Sequence, residues 1–153
     1  MLRRIYEMTI ITNSEAETEL EGEKIGRKLS AGSIIALQGN LGAGKTTLTR
    51  GIAKGLGIEE GVSSPTFTIV NEYPAPVPLY HFDMYRLENA TDLYDIGWYD
   101  YIDQGGVCVV EWSEKVYEAF PPETKVVMME TIGENKRKIT ISEIGKPKAL
   151  LEF

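Results

Sequence analysis

Apolar positions along the chain fall into short runs separated by glycine, proline and small polar residues, a rhythm that predicts alternating strands and helices. Ile5 to Thr12, rich in β-branched residues, predicts a first strand. Asn13-Ser14 then offers a helix N-cap ahead of Glu15, Glu17 and Glu19, acidic residues that suit the positive end of a helix dipole. That helix is expected to run to about Leu29, with Leu20, Ile25 and Leu29 facing inward. Gly32 turns the chain into Ser33-Ile34-Ile35-Ala36-Leu37, apolar on both faces as a buried parallel strand is. A glycine-rich turn from Gly39 to Lys45 follows, and Thr46 to Gly55 resumes helical composition.

Ser63-Ser64-Pro65 is a loop signal, with strands predicted at Phe67 to Tyr73 and Leu79 to Tyr85. Their connection, Pro74-Ala75-Pro76-Val77-Pro78, is stiff and cannot supply a central strand. Short helices are expected at Ala90 to Ile96 and Trp98 to Ile102, and a buried strand at Val107 to Glu111. Ser113 can cap a helix to about Ala119, ended by Pro121-Pro122. Val126 to Thr131 and Lys138 to Ser142 then read as a hairpin or neighbouring strands around Gly133-Glu134-Asn135. Without an internal repeat or linker, the 153 residues read as one α/β domain.

Composition adds limits. With 42% hydrophobic and 25% charged residues the chain is of ordinary globular type. The net charge of −7 makes a poor partner for a phosphate backbone, so autonomous nucleic-acid binding is disfavoured. A lone cysteine, Cys108, can form neither an internal disulfide nor a multi-cysteine zinc site, which fits a reducing, cytoplasmic setting. No signal-peptide segment and no run of about 18 apolar residues is present, so no membrane span is expected.

The chemistry concentrates in Gly39-Asn40-Leu41-Gly42-Ala43-Gly44-Lys45-Thr46, a full G-x-x-x-x-G-K-[ST] motif between a predicted strand and a predicted helix. Glycines let successive backbone N–H groups turn inward around phosphate oxygens, and the helix adds its N-terminal partial charge. Lys45 is expected to reach the β- and γ-phosphates and the Thr46 hydroxyl to ligate Mg2+. Such a loop needs a carboxylate on a neighbouring strand, and two strand ends offer one: Asp83 after Leu79-Tyr80-His81-Phe82, and Glu111 after Val107-Cys108-Val109-Val110. Either could equally be a surface carboxylate. Ser64-Pro65-Thr66 sits where nucleotide switches place a γ-phosphate-sensing loop, or is a proline turn entering a strand. Trp112 is a core aromatic or a neighbour of the nucleotide, and His81 reads as a structural residue more readily than as a base. Arg86 could meet phosphate charge or pair with a carboxylate. The fold expected is therefore a three-layer P-loop NTPase-like α/β domain, its central sheet mainly parallel and flanked by helices, with antiparallel strands toward the C-terminus.

Taken together, Gly39 to Thr47, Ser64-Pro65-Thr66-Phe67, His81-Phe82-Asp83-Met84-Tyr85-Arg86-Leu87 and Glu111-Trp112-Ser113-Glu114 resemble, in order and spacing, the TsaE family of bacterial P-loop ATPases in tRNA threonylcarbamoyladenosine biosynthesis. The resemblance spans nearly the whole chain. It implies that the loop from Gly39 to Thr46, with Thr47, binds ATP and that Thr46 and Glu111 serve Mg2+. It further implies that Asp83 is a second essential acid, that Ser64-Pro65-Thr66 is switch-like, and that Trp112 lies beside the nucleotide. Glu15, at the helix start, and Arg137 fall where family members approach the nucleotide from the two chain ends. Lys45, Asp83 and Glu111 would be the catalytic set. The implied partner is a TsaB–TsaD heterodimer, with tRNA met through that complex and ATP hydrolysis supporting turnover of the modification on the adenosine adjacent to the anticodon. Asn40 stands where the family often has Asp.

Two other classes share the loop. A small-molecule kinase is disfavoured because no arginine occurs between residues 87 and 136, where a lid would need several. A binding module that holds ATP as a structural ligand would show no ADP release over many turnovers.

Overall fold

The computed structural model describes residues 8–40, 42–59, 61–65, 69–89, 91–111 and 119–143. In chain order these form β1 (Met8–Thr12), α1 (Glu15–Lys28), β2 (Ile34–Gly39), α2 (Lys45–Gly55), β3 (Val70–Tyr73), β4 (Leu79–Asp83), α3 (Asp92–Asp95), α4 (Trp98–Ile102), β5 (Val107–Glu111), β6 (Lys125–Thr131) and β7 (Arg137–Glu143). The strands make one seven-stranded sheet in the order β1-β7-β6-β2-β5-β4-β3.

Strands β6, β2, β5 and β4 run parallel to one another through the middle. The flanks are antiparallel: β7 pairs with β6, β1 with β7, and β3 with β4. The sheet is thus mixed, and the expectation of a mainly parallel sheet is corrected: half of the six pairings are antiparallel. For two of these the reason is local: short links, the 133–135 turn and the proline-rich 74–78 segment, can only fold a strand back beside its predecessor, whereas parallel neighbours need a longer crossover. The third, β1 on β7, joins strands far apart in the chain.

Alternation along the central strands divides the core into two layers. Ile35, Leu37, Leu79, Val107 and Val109 pack on the α1/α2 side with Ile25, Leu48 and Ile52. Ile34, Ala36, Phe82, Cys108 and Val110 pack on the other side with Leu93 and Trp98 of α3 and α4. There Phe82 meets Trp98 and Tyr101 edge-on, with ring centroids 5.2 and 5.1 Å apart.

Several boundaries move. Strand β3 begins at Val70, not Phe67, and residues 66–68 lie outside the described set. Strand β4 ends at Asp83, with Tyr85 already in a turn, and α3 is confined to Asp92–Asp95. The helix expected from Ser113 lies almost wholly in 112–118, outside the described residues. Leu20 is not inward but 47% exposed. The buried side of α1 is Thr18, Gly22, Ile25 and Gly26.

Those glycines let the helices nearly touch. A Cβ on Gly22 would collide with the Leu48 carbonyl oxygen and lie 3.0 Å from the Gly51 Cα; one on Gly26 would collide with the Ile52 carbonyl oxygen. Helix α1 starts at Ser14, whose Oγ accepts from the Glu17 N–H at 3.1 Å while the Glu17 carboxylate reaches back to the Asn13 N–H. This is a close variant of the capping box. Ser14→Ala is expected to lower unfolding free energy by about 1 kcal/mol, read from urea denaturation.

Cys108 is buried on the α3/α4 side, and burial pushes its thiol up from 9.0 to about 12. The folded protein therefore keeps a proton there that the unfolded chain releases above pH 9, so the thiol's contribution is intact below about pH 9 and is lost as pH rises toward about 12. Cys108→Ala is expected to flatten the alkaline fall in melting temperature across that window. Among the described residues no helix is long and apolar enough to cross a membrane.

Candidate functional site

All three parallel pairings of the sheet aim strand C-termini at one edge, and the chain crosses that edge at the end of β2. Residues 39, 40 and 42–44 lead there into α2. Gly42 and Gly44 hold φ of 81° and 98°, a left-handed conformation that side chains resist. The first helical turn carries no acidic side chain; the Leu48 N–H already closes on the Gly44 carbonyl at 2.9 Å, which leaves the N–H groups of Lys45, Thr46 and Thr47 and the helix dipole to an anion. Lys45 is 7% exposed and donates from Nζ to the Gly39 carbonyl at 2.6 Å, which curls it over the loop. The Thr49 hydroxyl ties to the Lys45 carbonyl at 2.8 Å and anchors this turn.

A cleft of about 480 Å³ opens above the loop, lined by Gly42, Gly44, Lys45 and Thr46 together with Asp83 and Glu111. The two acids arrive side by side because Asp83 and Glu111 are register partners on β4 and β5. Glu111 is also the partner of Leu37, so it stands on the strand next to the loop strand, with Asp83 one strand further out. Both are buried, at 8% and 4% exposure. Asp83 Oδ1 accepts from the Tyr85 N–H at 2.9 Å, which orients that carboxylate. Glu111 Oε2 meets His81 Nε2 at 2.5 Å inside the sheet.

The remaining residues expected from sequence take varied places. Thr47, Ser64, Glu15 and Arg137 line the same cleft. Glu15 is drawn toward α2 by the Thr47 hydroxyl at 3.4 Å and the Arg50 guanidinium at 3.6 Å. Gly39, Asn40 and Ala43 build the loop from behind: the Ala43 N–H donates to the Asn40 carbonyl at 3.0 Å, and Ala43 is buried in the core. Pro65 is described, and its carbonyl accepts from the Ile69 N–H at 2.8 Å. Leu41, Thr66 and Trp112 lie outside the described residues.

Sequence reading missed three features. Thr18 and Asn135 line the cleft without belonging to any motif. Arg137 turns its guanidinium onto backbone: Nε donates to the Ala43 carbonyl at 3.1 Å and Nη2 to the Gly42 carbonyl at 3.2 Å, while Nη1 holds Gly133, Glu134 and Lys136. It clamps the glycine loop to the β6–β7 turn. Ile69 adopts φ 69°, costly for a β-branched residue, at the junction of the Ser64-Pro65 segment with β3. Its carbonyl accepts from the Asp83 N–H at 2.8 Å, tying that segment to the acid.

Residues 12–139 match the family described as threonylcarbamoyl adenosine biosynthesis protein TsaE. The chain is 40% identical over 135 residues to the tRNA threonylcarbamoyladenosine biosynthesis protein TsaE of Treponema pallidum (strain Nichols), covering 88% of this chain and 100% of that one. To the protein of the same name from Bacillus subtilis (strain 168) it is 44% identical over 121 residues, 78% of this chain and 75% of that one. A crystal structure of Bacillus subtilis YdiB superposes with a TM-score of 0.81 at 34% identity, covering 94% of this chain and 90% of that chain.

Proposed function

The chain belongs to the TsaE family of threonylcarbamoyl adenosine biosynthesis proteins, and from that premise we propose that it serves tRNA threonylcarbamoyladenosine biosynthesis as a Mg2+-dependent P-loop ATPase. One observation carries the reading: Gly42, Gly44, Lys45 and Thr46 share a single cleft with a buried pair of carboxylates. A phosphate chain fits the loop because backbone N–H groups and one ammonium converge there, and Asp83 and Glu111 stand beside it where a divalent cation could lie between carboxylates and phosphates.

The donor set suits Mg2+, which is a hard cation that prefers a few protein oxygens plus waters and phosphate oxygens over a cage of many side chains. Thr46, Glu111 and Asp83 would hold it, and the ion would neutralise charge building on the phosphates. The chain's own part is positional. Loop amides and Lys45 stabilise the equatorial oxygens of the transferred phosphoryl group, and Asp83, oriented by the Tyr85 N–H, directs the attacking water.

Arg137, which lines the cleft, is committed to backbone carbonyls and so supplies no arginine finger. Hydrolysis by the chain alone is therefore expected to be slow, and a partner such as a TsaB–TsaD heterodimer to complete the site. ATP turnover measured with and without that heterodimer tests this. A stimulation of at least tenfold, with ADP released over many turnovers, is expected; equal rates in both arms would refute partner completion. A net charge of −7 fits a division in which the partners carry most tRNA contact.

A further inference from the structure

His81 is a polar side chain set deeper in the sheet than the acid at the end of its strand. On β4 it shares a face with Leu79 and Asp83 and projects toward the layer built from Ile35, Leu37, Val109 and Leu48, where it is fully buried. A polar ring in such a place needs a partner, and it has one: Nε2 lies 2.5 Å from Glu111 Oε2. Among the described residues its Nδ1 has no hydrogen-bond partner. An imidazole with one proton resolves both facts if that proton sits on Nε2, since Nδ1 is then a bare acceptor and no buried N–H is left unmet. Glu111 therefore receives a hydrogen bond on Oε2 from inside the sheet, while the same side chain lines the cleft with Lys45, Thr46 and Asp83.

We propose that His81 is a positioning residue: by holding Oε2 it fixes the Glu111 carboxylate so that Oε1 faces the cleft, ready for a divalent cation carried with nucleotide phosphates. The inference rests on reading the cleft as a metal–nucleotide site, and it assigns His81 no proton transfer. Groups one step behind a ligand commonly set its orientation, and their loss weakens metal binding by about 10- to 100-fold.

The test uses Mn2+ as the probe, titrated against the ADP-loaded chain and followed by electron paramagnetic resonance, with ADP affinity measured separately in EDTA. Five proteins are compared: wild type, His81→Leu, His81→Gln, Glu111→Gln and the double variant His81→Leu with Glu111→Gln, the last read against Glu111→Gln. Glutamine can place an amide N–H where Nε2 is, so His81→Gln should hold Mn2+ within about threefold of wild type, and His81→Leu should weaken it about 10- to 100-fold. ADP affinity in EDTA should be equal in wild type and the single His81 variants. Once Glu111 is Gln, His81→Leu should cost nothing further, an outcome that general damage to the core would not give. Should His81→Leu fail to fold, His81→Asn replaces it, its amide sitting at the Nδ1 position and falling short of Glu111. Equal Mn2+ affinity in wild type and the Leu or Asn variant overturns the proposal, as does failure of the Gln variant to rescue. A wild type that binds ADP but no Mn2+ overturns the metal reading of Glu111 along with it; one that binds no ADP overturns the nucleotide reading first.

Discussion

Lys45→Ala will lower ATP turnover by about 10²- to 10³-fold in the presence of the partner complex, the scale expected when a preorganised charge on the transferred group is removed. The ammonium lies over the glycine loop, where the proposed phosphate would sit. It opens α2, is 7% exposed, and is held over the loop by the Gly39 carbonyl at 2.6 Å, so little reorganisation separates it from a phosphate at the same place. The lost bond to Gly39 costs about 1 kcal/mol of stability, a shift of about 2–4 °C in melting temperature for a domain of this size. A variant that melts close to wild type yet fails to turn over ATP locates the defect in charge and not in folding. Normal turnover by Lys45→Ala, followed as released phosphate, would remove the glycine loop from the proposed chemistry.

Gly51→Ala is expected to be the most damaging single methyl in the helix layer. A Cβ there would collide with the Glu19 carbonyl oxygen and lie 2.9 Å from both the Glu19 carbonyl carbon and the Gly22 Cα, all backbone atoms that cannot swing aside. Overpacking of this kind costs about 3 kcal/mol, offset by about 1 kcal/mol of improved helix propensity. The net of about 2 kcal/mol corresponds to a melting temperature about 4–8 °C lower. Function suffers too, because α1 delivers Glu15 and Thr18 to the cleft and α2 delivers Lys45, Thr46 and Thr47. Pushing the helices apart widens the cleft between them. Differential scanning calorimetry decides it: melting at or above the wild-type temperature would mean the pair is not packed on bare backbone.

That same interface explains why Leu20, apolar and expected to face inward, is exposed. Hydrophobicity marks a buried helix face only where side chains do the filling. Here Gly22 and Gly26 face Gly51 and Gly55, so the contact is backbone on backbone and carries no apolar signal. The legible mark is the repeated spacing of two glycines four residues apart, on one face of each helix. The strand, loop and helix around Lys45 were readable because each has its own local cause: an apolar run, glycines at positive φ, a helical composition. The pairing of flanking strands was not, since it depends on which strand becomes a neighbour. Asp83 and Glu111 were readable as strand ends, but their adjacency is a register fact. His81 looked like an ordinary core histidine because its partner lies 30 residues away.

Arg137 reaches back 94 and 95 residues to grip Ala43 and Gly42, and β2, which carries the loop, is flanked on both sides by strands that come later in the chain. During synthesis the loop leaves the ribosome well before the strands that flank it and the arginine that clamps it. Its contacts are among the longest in sequence, the kind whose closure is slow and comes late in folding. The glycine-rich turn is therefore an early segment with a late structure, and a nascent chain holds no finished anion cradle until the last hairpin has closed on it.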